Sequence, residues 1–176
     1  MEKEDIVPTI IDTVPAEILE VTFPNGLKVE LGNELTPTQV KDEPSIKWNT
    51  DSSTLYTVVM IDPDAPSRLN QSSGQVLHWL VGNVGGNDIK SGQLIAKYIS
   101  SAPREKTGLH RYIYLIYKQH GFIDYSESEI SCLNQRLKWN VRNFAKKYNL
   151  GQPIAGNFYQ AQYDEYVPII HSRIRK

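Results

Sequence analysis

From Leu55 to Ile61 the chain is almost unbroken in hydrophobicity and rich in β-branched and aromatic residues, the pattern of a central strand covered on both faces. Around it the apolar positions alternate. Ile18 to Phe23 and Leu27 to Leu31 flank Asn25-Gly26, which predicts a hairpin. Ile46 and Trp48 predict a short strand, Val76 to Val84 a longer one, and Asn157 to Tyr163 a returning one. Between His110 and Lys118 the alternation is cleanest: Tyr112, Tyr114, Ile116 and Lys118 fall on one face, Ile113, Leu115 and Tyr117 on the other. Leu94, Ile95, Tyr98 and Ile99 fit strand and helical turn equally well.

Helical spacing appears only late, where Leu137, Val141, Phe144, Ala145 and Tyr148 recur with Lys and Arg between them. The expected helix runs from about Trp139 to Tyr148 and stops at Gly151. A short helical segment follows from about Asp164, with Pro168 near its start. Residues 1 to 15, with Pro8 and Pro15, read as an extended lead-in. Gly32 to Pro44 reads as a connection that adds at most an irregular edge strand. Many short strands with helices at the end predict an antiparallel β architecture, sandwich-like rather than a barrel.

Composition adds bounds. The 176 residues suit one domain spanning 1–176, long enough to bury a real core. A formal net charge of -1 gives no field for wrapping nucleic acid. The one cysteine, Cys132, has no Cys or His at metal-ligand spacing and favours a reducing compartment. The mixed-charge start Met1 to Pro8 lacks the apolar run of a signal peptide, and no run approaches the roughly 18 residues of a membrane span. A cytoplasmic monomer is the expectation. The basic tail Arg173, Arg175 and Lys176 reads as a solvated end.

The chemistry gathers at strand ends. Asp62-Pro63-Asp64-Ala65-Pro66-Ser67-Arg68 closes the central strand, His78 lies within the next, and His110 opens the most regular one. The bland reading of the acidic stretch is a rigid turn with aspartates capping backbone amides. Two prolines limit collapse of the loop and suit a preorganised pocket, with Ala65-Pro66 a candidate cis bond. An Asp/His cluster presents fixed donors to a phosphate oxygen, since imidazolium donates from both nitrogens. The carboxylates themselves suit a protonated phosphate or an ammonium, hence a zwitterionic ligand.

Three blocks then carry a resemblance: Asp62 to Arg68, His78-Trp79-Leu80-Val81, and Gly108-Leu109-His110-Arg111-Tyr112, with Ala155 to Ala161 as a fourth. Together they resemble the phosphatidylethanolamine-binding protein family, which includes the Raf kinase inhibitor proteins. The resemblance implies a mainly β fold with a large central antiparallel sheet, a smaller sheet packed on it, and peripheral C-terminal helices. It places Asp62, Asp64, Pro66, His78, His110 and Tyr112 around an anion pocket and Pro103 in the loop at its rim. It implies no enzymatic activity, no cofactor and no metal, but binding of phospholipid head groups or phosphorylated ligands, with docking on a protein kinase in some members. The chain departs from the family at Ser73 and Val76, where an aromatic pair is common, at Ser100-Ser101-Ala102-Pro103, where Gly-x-Gly-Pro is common, and at His171, where an aromatic lid is common. Two other functions fit the residue types. One is a metal-assisted phosphoester hydrolase using Asp62, Asp64, His78 and His110; the other is a serine protease inhibitor presenting the Leu69 to Gln75 loop.

Overall fold

The computed structural model describes residues 1–174, so Arg175 and Lys176 of the basic tail lie outside the described residues. In chain order the elements are β1 (Glu17–Ile18), β2 (Glu20–Thr22), β3 (Ser45–Lys47), β4 (Leu55–Ala65), β5 (Gly74–Gly85), β6 (Gln93–Ala96), β7 (His110–Lys118), α1 (Val141–Lys147), β8 (Ala155–Ala161) and α2 (Val167–Ile174). One six-stranded sheet has the order β1-β8-β7-β4-β5-β6, and β2 and β3 form a separate antiparallel pair.

The hydrophobic pattern explains the layering. The long run in β4 is central, hydrogen-bonded to β5 on one side and β7 on the other, both antiparallel. Its alternate residues serve two cores. Val58 and Met60 join Tyr112 and Tyr114 of β7 and pack against Val21 and Ile46 of the small sheet. Val59 and Ile61 join Ile113 and Leu115 and pack beneath Val141 and Phe144 of α1. The period-2 register of β7 therefore separates its residues between the two cores as the alternation predicts.

Several expectations change. The large sheet is mixed rather than purely antiparallel, because β1 runs parallel to β8 at its edge. The Asn25-Gly26 turn forms, with Gly26 in the left-handed region at φ 88° and Phe23 N–H donating to Leu27 O. Beyond it the returning arm makes only scattered contacts, the Thr22–Lys28 bridge and Val29 N–H to Val21 O, and β2 takes β3 as its ladder partner instead. Buried Asn157 ties both arms of this turn, donating to the carbonyls of Leu19 and Val29. Residues 1 to 15 are not a loose lead-in. Ile6, Ile10 and Ile11 are buried in the second core, and the Glu4 carbonyl accepts hydrogen bonds from both Arg68 and Arg111. Proline positions restrict local backbone but say nothing about where neighbouring isoleucines find burial. The ambiguous Leu94–Ile99 stretch resolves as β6 at Gln93–Ala96.

Candidate functional site

Asp62 is buried near the end of β4. Its Oδ1 accepts the Asp64 backbone N–H at 2.7 Å, and its Oδ2 lies 2.8 Å from His110 Nδ1 at the start of β7. His110 Nε2 is 2.8 Å from Thr107 Oγ1, whose hydroxyl donates to the Arg104 carbonyl. A chain of hydrogen bonds therefore runs from the loop to the aspartate through the His110 ring. His110 is thus clamped on two sides.

His78, in β5, is held differently. Its Nδ1 donates to the Ile99 carbonyl at 2.7 Å, which leaves Nε2 as the atom available to a ligand. Burial lowers its pKa, opposed in part by the Asp62 carboxylate and reinforced by Arg136 and His110. His78 therefore favours the neutral tautomer with a lone pair on Nε2. The Tyr112 ring links the two imidazoles, edge-on to His78 and stacked with His110. Its buried hydroxyl makes no hydrogen bond of regular geometry. Burial first, and the Asp62 charge second, push its pKa well above the usual phenol value. It is a neutral donor without a settled acceptor.

Asp62, Pro66, His78, His110 and Tyr112 share one cavity of about 210 Å³. Two expected site residues do not line it. Asp64 is fully buried behind it, where the irregular register between Asp62 and Ala65 re-aims its side chain. Both its oxygens grip Arg111, with Nε to Oδ2 at 2.9 Å and Nη2 to Oδ1 at 2.8 Å, and it also accepts from Arg111 N–H and Gln71. Burial alone would raise its pKa; the Arg111 bonds overcome that and hold it below the usual carboxylate value. Pro103 is buried in the rim loop between Ala102 and Arg104, which do line the cavity. The Ala65-Pro66 bond is cis.

Of the divergent positions, Ser73, Val76, Ala102 and His171 face the cavity, whereas Ser100 lines the neighbouring groove. His171 Nε2 donates to the Ala102 carbonyl at 3.1 Å, joining α2 to the rim. Ser101, at the variable position of the rim, is fully buried, its hydroxyl bonds the Tyr159 hydroxyl, and Tyr159 stacks on Tyr112. Sequence patterning missed Arg136, Leu133, Leu137, Ile99 and Ile174, which complete the wall. Leu137 fits the helical period but lies before α1, with its side chain at the cavity. No motif marks Arg136; only its place beside Leu137 in an otherwise amphipathic stretch gave a signal.

The family model for phosphatidylethanolamine-binding proteins matches residues 25–160. The chain belongs to that family. Among relatives, "Putative odorant-binding protein A5" of Drosophila melanogaster is 41% identical over 170 residues, covering 96% of this chain and 81% of the relative. The "26 kDa secreted antigen" of Toxocara canis is 39% identical over 159 residues, covering 89% of this chain; the chain spans 61% of the antigen's length. The solution structure of CG7054 superposes with a TM-score of 0.78 at 46% identity, covering 97% of this chain and 98% of that one.

These relatives overturn the cytoplasmic expectation, because one family member is named as secreted and another as odorant-binding, names that point outside the cell. The reducing-compartment argument rested on Cys132. An exposed single thiol makes no internal disulfide in either compartment and does not discriminate between them. Among the described residues, no helix is long and apolar enough to cross a membrane.

Proposed function

We propose that this family member is a non-enzymatic binding protein whose cavity receives a small ligand with a phosphate-type head group and an apolar body. The head rests on Asp62, His78, His110 and Tyr112, with Pro66 beside it; Asp64 and Pro103 support the floor and rim from behind. A phosphatidylethanolamine-type head group is the favoured ligand, and the relatives' names favour an extracellular setting. The observation that carries the reading is the polarity of the cavity. Its floor holds His78 Nε2 and the unsatisfied Tyr112 hydroxyl, while Val76, Leu133, Leu137 and Ile174 supply apolar walls.

The floor also refines the charge argument. Asp64 is committed to Arg111, so the two carboxylates do not jointly clasp an ammonium. Asp62 Oδ2 is engaged by His110, and Arg136 contributes a positive charge to the wall. An anionic head fits this balance better than a cationic one. The commitment of Asp64 equally weakens the metal-bridged hydrolase, which needs that carboxylate free.

Proton linkage provides a test. A phosphate monoester dianion placed against neutral His78 favours the imidazolium, so binding of phosphorylethanolamine takes up protons near pH 7 and weakens as pH rises. Calorimetric titration in two buffers of different ionisation enthalpy reads that uptake directly. His78→Ala removes it. Binding without proton exchange, unchanged by His78→Ala, places the ligand elsewhere and defeats the reading.

A further inference from the structure

Beside the cavity lies a larger groove of about 800 Å³, and the two share Ile99, Leu133, Arg136 and Ile174. Lys41, Lys97 and Arg173 also line the groove, and its lining contains no carboxylate among the described residues. Asp42 and Glu43 lie near enough to act on the Tyr98 hydroxyl but stay outside the lining. Lys41 and Arg173 both sit over the Tyr166 ring, at 5.6 Å and 5.9 Å from its centroid, so the fold holds two like charges about one side chain.

Arg136 is the decisive residue. Only 6% exposed, it has no acidic partner among the described residues, in contrast to Arg111 on Asp64. Burial pulls its pKa down to about 10. Nη1 donates to the carbonyls of Leu77 and His78 at 3.0 Å and 3.3 Å, and Nη2 to Lys97 at 2.8 Å. Among the described residues that leaves Nε–H and one Nη2–H without a hydrogen-bond partner. Arg111 uses its Nε and Nη2 together to hold the Asp64 carboxylate. A buried cation with two uncommitted N–H donors is matched by a carboxylate.

The geometry points to the groove as a second ligand site, adjoining the family-type cavity across Arg136, for a long-chain carboxylate. Its carboxylate takes the uncommitted N–H donors of Arg136 within the field of Lys97 and Arg173, and its chain lies along Ile130, Leu133, Ile170 and Ile174. The groove falls within the roughly 300–1,000 Å³ of small-molecule sites.

Calorimetric titration of the wild-type protein with decanoate, below its micellar range, tests this. One decanoate binds per chain, decanol binds at least about tenfold more weakly, and phosphorylethanolamine does not displace decanoate. The surface pair Lys97→Glu with Arg173→Glu weakens decanoate by about tenfold or more and leaves phosphorylethanolamine binding unchanged. Arg136→Gln weakens decanoate as well, but it also strips donors from three carbonyls, so the surface pair bears the test. Absence of decanoate binding, equal binding of decanol, an unaffected surface pair, or stoichiometric displacement by phosphorylethanolamine each overturns the second site.

Discussion

Asp64→Ala is expected to destabilise the protein by about 3–5 kcal/mol, the cost of leaving a buried charge without its partner. Arg111 is 2% exposed, and Asp64 takes its backbone N–H, Nε and Nη2. Truncation leaves the guanidinium with only the Glu4 carbonyl among its hydrogen-bond partners. The same arginine thereby anchors the amino-terminal segment, so loss of Asp64 also loosens the layer that carries Ile6, Ile10 and Ile11. Urea unfolding measures the change, and a loss under about 1 kcal/mol would show the pair to be unimportant. Asp64→Asn retains shape and one acceptor and is expected to fall between the two.

Two groups set the acid sensitivity, in different windows. The Asp64 pKa is lower folded than unfolded, so its contribution is complete above the unfolded value near 4 and is lost as pH falls through the folded one. His78 is also lowered on folding, by burial. Its unfolded form gains a proton first, so stability declines as pH drops below about 6.5 and continues to decline until the folded group titrates. His78→Ala is expected to flatten the upper stage alone.

Asp62→Ala is expected to weaken phosphorylethanolamine binding by about 2 kcal/mol or more, roughly thirtyfold, with Tyr112→Phe smaller. Asp62 fixes the His110 ring through Nδ1, so its loss leaves Thr107 as the ring's remaining hydrogen-bond partner among the described residues. Calorimetric affinity of the two variants checks the order. Equal binding by Asp62→Ala and wild type would show that the imidazole does not need its aspartate.

The strands that build the site were legible because their alternation is enforced by burial on two faces. β7 begins and ends at the residues the pattern names, His110 and Lys118, and a one-residue slip there would exchange its two cores. Asp62, His78 and His110 follow from those strand ends, while Pro66 and Tyr112 came with the family resemblance. The resemblance groups Asp64 with Asp62 at the pocket, whereas a local register shift and the pull of Arg111 turn its side chain inward behind the cavity. Arg136 was invisible for another reason. Its bonds go to backbone carbonyls of Leu77, His78 and Lys97, far away in sequence, and backbone acceptors leave no trace in residue identity.

The most direct measurement is nitrogen NMR of the His78 and His110 imidazoles during titration with phosphorylethanolamine. The expected result is that His78 Nε2 changes from lone-pair to protonated character as ligand is added, while His78 Nδ1 stays protonated against the Ile99 carbonyl and His110 shifts with it. Saturating ligand that leaves both imidazoles unmoved would contradict the cavity as the head-group site.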